Sequence, residues 1–169
     1  MIPVVIELRN GKKINLELDE VSAPISTENF LKYVDDGFYD GTIFHRVIPG
    51  FMIQGGGYLD DEPGLKEKDS KYAPIKGEFK SNGVNNPIKH NKGVISMART
   101  FVKNSATSQF FICVANCPFL DGEYAAFGRV TDEESLKVAV NISDERTHSW
   151  RGFDDIPDEP VVIKTIKRV

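Results

Sequence analysis

Two polar residues stand inside an otherwise apolar stretch, FHRVIPGFMIQGG at residues 44–56: Arg46 and Gln54. A guanidinium is rarely buried without a partner, and a side-chain amide needs both donors and acceptor engaged. Set beside Phe51 and Met52, the pair would furnish a greasy surface with one fixed cation and one amide. Such a surface can hold a neutral ligand and aim a hydrogen bond at it. For an isolated arginine the commoner role is structural, with the stem on apolar surface and the head in water.

Other chemistries lack their residues. The glycine run Gly55-Gly56-Gly57 is followed by Tyr58 and Leu59 instead of Lys-Ser/Thr, so it reads as a turn and not as a phosphate cradle. His45, His90 and His148 are too far apart in sequence to suggest a shared metal, and no metal or cofactor is expected. No GxSxG elbow surrounds Ser96 or Ser108. Cys113 and Cys117 match neither a redox CxxC nor half of a zinc site, and they read as structural thiols.

The chain of 169 residues is 40% hydrophobic and 27% charged, which suits one globular domain over residues 1–169. A net charge of −4 with both signs interspersed provides no basic face for nucleic acid or an anionic membrane. MIPVVIELRNGKK lacks a charged n-region ahead of its short apolar run, and no stretch has the roughly 18 apolar residues of a membrane span. The expectation is a soluble, cytoplasmic protein, monomeric in the absence of an apolar seam.

Short strands must position these residues. VVIELRNGKKINLEL alternates around Asn10-Gly11, a dipeptide that fits a type I′ hairpin. APISTENFLKYVDDGFYDG, with Pro24 near its start and Gly37 past its end, predicts an amphipathic helix. TDEESLKVAVNIS predicts a second, capped by Thr131 or Asp132. TIFHRVI, FMIQ, GVISMA, SQFFICV, AAFGRV and PVVIKTIKRV read as strands. Alternation sends His45 to the face opposite Arg46. Many strands with only two helices favour a closed barrel or a sandwich over a parallel α/β sheet. Residues 57–78 and 143–160 read as long irregular loops, either functional or simply solvated. Trp150 lies in the second of them, distant from the groove.

FHRVIPGFMIQGG, GVISMART, SATSQFFICVAN and FLDGEYAAFGRV, in that order, resemble the cyclophilins, and MART, SATSQFF and APIKGEF resemble their bacterial cytoplasmic branch. The resemblance covers nearly the whole chain. It implies a mainly β fold, an eight-stranded antiparallel barrel closed by two helices, with the binding groove outside the barrel. It implies peptidyl-prolyl cis-trans isomerase activity without a cofactor, acting on proline-containing peptides and on unfolded or folding proteins. Position by position, it puts the catalytic arginine at Arg46 and the proline pocket at Phe51, Met52, Gln54, Phe111 and Leu120; in that place the Gln54 amide would also orient the guanidinium. Ala98, Arg99, Thr100 and Gln109 match the stretch that holds the peptide backbone, although relatives carry Asn and Ala where this chain has Arg99 and Thr100. Phe119 and Tyr124 stand where many relatives have Trp and His, and the loss of the indole N–H at Phe119 implies weak binding of cyclosporin. A proline-peptide binding module and an interaction scaffold are the alternatives; neither needs a donor aimed at the prolyl nitrogen.

Overall fold

The computed structural model describes all 169 residues. Eight antiparallel strands form a nearly closed barrel: β1 (Ile2–Leu8), β2 (Lys13–Leu18), β3 (Thr42–Ile48), β4 (Met52–Asp61), β6 (Val94–Met97), β7 (Phe110–Cys113), β8 (Ala126–Val130) and β11 (Ile163–Arg168). Around the barrel the order is β11-β1-β2-β8-β6-β7-β4-β3. The seam between β3 and β11 is drawn shut by an Ile43–Val162 bridge and by Phe44 N–H donating to Val161 C=O at 3.1 Å. Inward-facing Val4, Ile6, Leu8, Ile14, Leu16, Leu18, Phe44, Ile53, Phe110 and Phe127 fill the interior and are nearly inaccessible to water. The period-two pattern of β2, with Ile14, Leu16 and Leu18 buried, is what a strand with one wet face requires.

Two helices cover the ends. Helix α1 (Pro24–Asp35) drives Phe30 against Tyr39, Phe110 and Phe127 at ring distances of 5.2–5.5 Å. Its first turn has no side-chain cap of its own. Glu78, buried to 2% exposure, supplies one from outside: its carboxylate accepts from Ile25 N–H, Ser26 N–H and Ser26 Oγ at 2.6–3.2 Å. An anion suits the orphan donors and positive end of a helix dipole. The helix ends in a Schellman turn at Gly37 (φ 68°), with Phe38 N–H returning to Tyr33 C=O at 3.0 Å. Helix α2 (Glu133–Ser143) is capped by Asp132, which accepts from Ser135 N–H at 2.7 Å.

Four sequence expectations are corrected. The first hairpin is not type I′. Among residues 9–12 only Gly11 has positive φ; Gly11 N–H reaches Leu8 C=O and Leu8 N–H reaches Lys12 C=O, each at 2.9 Å. That is a three-residue loop with a glycine bulge, and Asn10 serves it through its side chain, which accepts from Lys12 N–H at 2.9 Å.

The second concerns Gly55–Gly57, which are strand rather than turn. A Cβ at Gly55 would lie 2.8 Å from Ile43 C=O, and one at Gly57 would lie 2.4 Å from Gln109. Glycine is required there by close approach, so β4 continues to Asp61 and turns back into β5 (Gly64–Glu67).

The third is the 143–160 stretch, which contains a hairpin, β9 (Thr147–Trp150) and β10 (Phe153–Pro157). Trp150 is therefore in no remote loop: it stacks with Phe153 at 6.3 Å, and Phe153 meets Tyr58 at 5.4 Å beside the strands that carry Arg46 and Gln54.

The fourth is the alternation of β3. Phe44 pairs with Gly55 and Arg46 with Gln54, so β3 has one residue too many, His45. This β-bulge leaves His45 on the same outer surface as Arg46, not on the opposite face, because the extra residue resets the pleat.

Candidate active site

The bulge at His45 aims Arg46 out of the barrel wall, directly across from Gln54 on β4. Arg46 Nη1 donates to Gln54 Oε1 at 3.3 Å, and Gln54 Nε2 donates to Gln109 Oε1 at 3.0 Å. The half-buried guanidinium is thus held from one side by an amide relay. Its remaining donors are free to meet a ligand.

Beside it lies a pocket of about 160 Å³ lined by Arg46, Phe51, Met52, Gln54, Ala98, Arg99, Phe111, Leu120 and Tyr124. Met52, Phe111 and Leu120 are 2–7% exposed and pack with the buried thiols Cys113 and Cys117 behind the pocket. Burial pushes both thiols up, further for Cys113, so they remain protonated and inert. Phe111 meets Tyr124 edge-on at 5.7 Å. The concavity is small and largely apolar, with Arg46 and Gln54 making one end polar, which suits a small apolar group that carries one polar function.

Of the residues expected at the site, three stand outside this pocket. Phe119 is 67% exposed, its ring 5.6 Å from Phe51 at the rim. Thr100 is turned into its own loop, with its N–H and Oγ1 both bonded to Ser105 Oγ at 2.9 Å. Gln109 bonds with Gln54 and lines a second groove on the far side of Arg46. Arg99 lines the pocket, yet its guanidinium is spent structurally: it donates to Glu123 C=O and Thr100 C=O and lies over the Phe79 and Tyr124 rings at 4.9 and 4.6 Å.

Sequence reasoning missed His90. Its ring stacks behind Phe111 at 6.0 Å, Nδ1 lies 3.0 Å from Asp121 Oδ1, and Nε2 lies 2.9 Å from Ser96 Oγ. The trio has the form of a hydrolytic triad without its access, since Ser96 is wholly buried. It acts as a strut: Asp121 also accepts from His90 N–H at 2.6 Å, fixing the turn that presents Phe119 and Leu120. Burial lowers the His90 pKa against the opposing pull of Asp121. Only an alignment of structure could join residues 90, 96 and 121.

His45, 5% exposed, packs against Tyr58 with the rings tilted and their centroids 4.5 Å apart. Burial, with Arg46 as the lesser cause, lowers its pKa to about 4, so it is neutral at neutral pH.

Residues 4–168 match the family model described as cyclophilin type peptidyl-prolyl cis-trans isomerase/CLD. The chain is 46% identical to peptidyl-prolyl cis-trans isomerase A of Dickeya dadantii over 168 residues, covering 96% of this chain and 83% of that one. It is 43% identical to peptidyl-prolyl cis-trans isomerase B of Escherichia coli over 165 residues, covering 93% and 94%. A crystal structure of a Cryptosporidium parvum cyclophilin type isomerase, determined in the presence of the dipeptide Ala-Pro, superposes with a TM-score of 0.78 at 32% identity, covering 99% and 98%. With the barrel, the outer pocket and these likenesses in agreement, the chain belongs to the cyclophilin-type peptidyl-prolyl cis-trans isomerases.

Proposed function

We propose that Arg46 is the catalytic donor of this isomerase and that Phe51, Met52, Phe111 and Leu120 seat the proline ring. The X-Pro bond rotates over a barrier of about 20 kcal/mol because the prolyl nitrogen shares its lone pair with the carbonyl. Twisting ends that sharing. The nitrogen pyramidalises and its lone pair becomes a hydrogen-bond acceptor that the planar isomers lack. A guanidinium beside the ring therefore binds the twisted state better than either ground state, which is the condition for catalysis. Arginine stays charged at any working pH, and its planar head directs its donors. The reaction then needs no covalent intermediate and no proton transfer.

The observation that carries this reading is the Arg46–Gln54–Gln109 relay at the polar end of an apolar pocket. Gln54 holds the guanidinium without neutralising it, as a carboxylate would. The determination of the Cryptosporidium relative in the presence of Ala-Pro supports a proline dipeptide as the minimal ligand. Unfolded and folding chains, in which X-Pro bonds are accessible, are the proposed physiological substrates, and the protein acts as a monomer. NMR exchange spectroscopy on a short Ala-Pro peptide tests the function: substoichiometric protein should broaden and exchange the cis and trans signals. Saturable binding without faster exchange would favour the binding-module alternative.

A further inference from the structure

On the other side of Arg46 lies a second groove, of about 370 Å³, whose lining includes His45, Arg46, Gln54, Tyr58 and, from the β9–β10 hairpin, Asp154 and Asp155. We infer that this groove is a second substrate subsite that takes a cationic side chain, lysine or arginine, from a residue flanking the isomerised proline. The inference rests on the proline-pocket reading above, because Arg46 and Gln54 form a wall common to both concavities. At about 3.5 Å per extended residue, a neighbour one or two positions from the proline reaches past that wall.

Its charge is the first argument. Arg46 contributes one positive charge, Asp154 and Asp155 contribute two negative ones, and His45, with a pKa of about 4, contributes none at neutral pH. The groove is therefore net negative although the catalytic cation forms part of it. The nearest other cation on the hairpin, Arg151, is not in the lining; its guanidinium lies over the Trp150 ring at 5.0 Å.

A second, independent observation comes from the floor. His45 Nδ1 is buried and makes no hydrogen bond within the protein. In the tautomer protonated on Nε2 it is an acceptor without a donor, on a residue that lines a groove otherwise presenting carboxylates, amides and the Arg46 guanidinium. With two carboxylates against one guanidinium, a cationic ligand that carries N–H donors fits this set better than an anion does.

The hairpin is built to hold the carboxylates there. Pairing of β10 with β9 slips between Phe153 and Ile156, leaving Asp154 and Asp155 in an irregular stretch between the paired residues. Asp155 has φ of 60°, in the left-handed region that Asp and Asn tolerate better than most residues. Asp154 is fixed through Oδ1, which accepts from Ser149 Oγ at 2.7 Å. The contacts of Phe153 with Tyr58 and of Trp150 with Phe153 tie the hairpin to β4.

The experiment uses an alanine-rich peptide with one central X-Pro bond, in which Lys, Ala or Glu occupies singly each of the two positions on either side of the proline, all others being Ala. For each peptide kcat/KM is measured with the parent protein and with the D154N/D155N double variant, at low salt and at high salt. Asn keeps the acceptor for Ser149 and tolerates the left-handed backbone. At one position the parent should prefer Lys over Glu by about five- to tenfold at low salt, narrowing to within about twofold near 0.5 M NaCl as the charges are screened. The double variant should show the narrowed ratio at low salt. Because each ratio is taken within one protein, it is independent of the variant's overall rate. A parent ratio near one at every position, a ratio insensitive to salt, or a preference that persists in the double variant would overturn the inference. Failure to turn over the all-alanine peptide would instead refute the isomerase reading beneath it.

Discussion

If Gln109 acts on catalysis only by holding Gln54, then losing both amides should cost no more than losing Gln54 alone. The resemblance places Gln109 among residues that touch the peptide backbone, whereas its side chain accepts from Gln54 Nε2 at 3.0 Å and Gln54 accepts from Arg46 at 3.3 Å. A hydrogen bond to a charged group is worth about 1.5–3 kcal/mol, and the 3.3 Å length and partial exposure put the Arg46–Gln54 bond at or below the lower end. Gln54→Leu should therefore lower kcat/KM by roughly tenfold, through about 1–1.5 kcal/mol of lost guanidinium orientation. Gln109→Leu loosens Gln54 without removing it, for which about 0.5 kcal/mol, or two- to threefold, is reasonable. The double variant should match Gln54→Leu within error. Protease-coupled or NMR exchange kinetics on one Ala-Pro peptide give all four corners of the cycle. Losses that multiply in the double variant would show that Gln109 meets substrate independently and that the relay is not the route of its effect.

Three other outcomes follow from individual contacts. Phe119 gives an aromatic face at the rim but no N–H donor, so the parent should bind cyclosporin about tenfold to a hundredfold more weakly than Phe119→Trp, the equivalent of about 1–3 kcal/mol, with turnover of short peptides little changed; equal affinities by titration calorimetry would refute this. His45 is neutral in the fold with a pKa of about 4, and an unfolded chain takes up that proton near 6.5; its contribution is intact above pH 6.5 and is lost as pH falls toward 4, amounting to about 3 kcal/mol, so denaturation curves of His45→Phe should lose that part of the acid slope while parent activity stays flat from about pH 6 to 9. Glu78→Ala strands the first donors of α1, which should cost about 3 kcal/mol and lower Tm by about 6–12 °C, and a Tm within about 2 °C of the parent would show that the cap is dispensable.

Period-two patterning and the two helices were legible because each is a local signal: Ile14, Leu16 and Leu18 alternate within one strand, and Pro24 and Gly37 bracket one helix. What the sequence concealed is what depends on distant neighbours. Glycines 55–57 look like a turn until Ile43 and Gln109 are seen pressed against them. The β3 bulge is a matter of register with β4, so no reading of β3 alone puts His45 beside Arg46. The site divides in the same way. Arg46, Gln54 and the apolar pocket come from one compact motif and its matches, whereas the His90–Ser96–Asp121 strut and the acidic hairpin tip require chain segments brought together from far apart.

The central claim is that the Arg46 donor stabilises the twisted bond, and the most direct measurement compares kcat/KM of the parent, Arg46→Ala and Arg46→Lys on one Ala-Pro peptide, with circular dichroism to verify the fold. Arg46 is half-buried at the edge of a surface pocket, so the fold should survive its removal. Losing a donor used only in the transition state typically costs about 3–4 kcal/mol, so Arg46→Ala should lose roughly a hundredfold to a thousandfold, with peptide affinity changed far less. Arg46→Lys, with the charge but without the planar fork, should recover only part of the loss. A folded Arg46→Ala protein that isomerises the peptide at the parent rate would contradict the account.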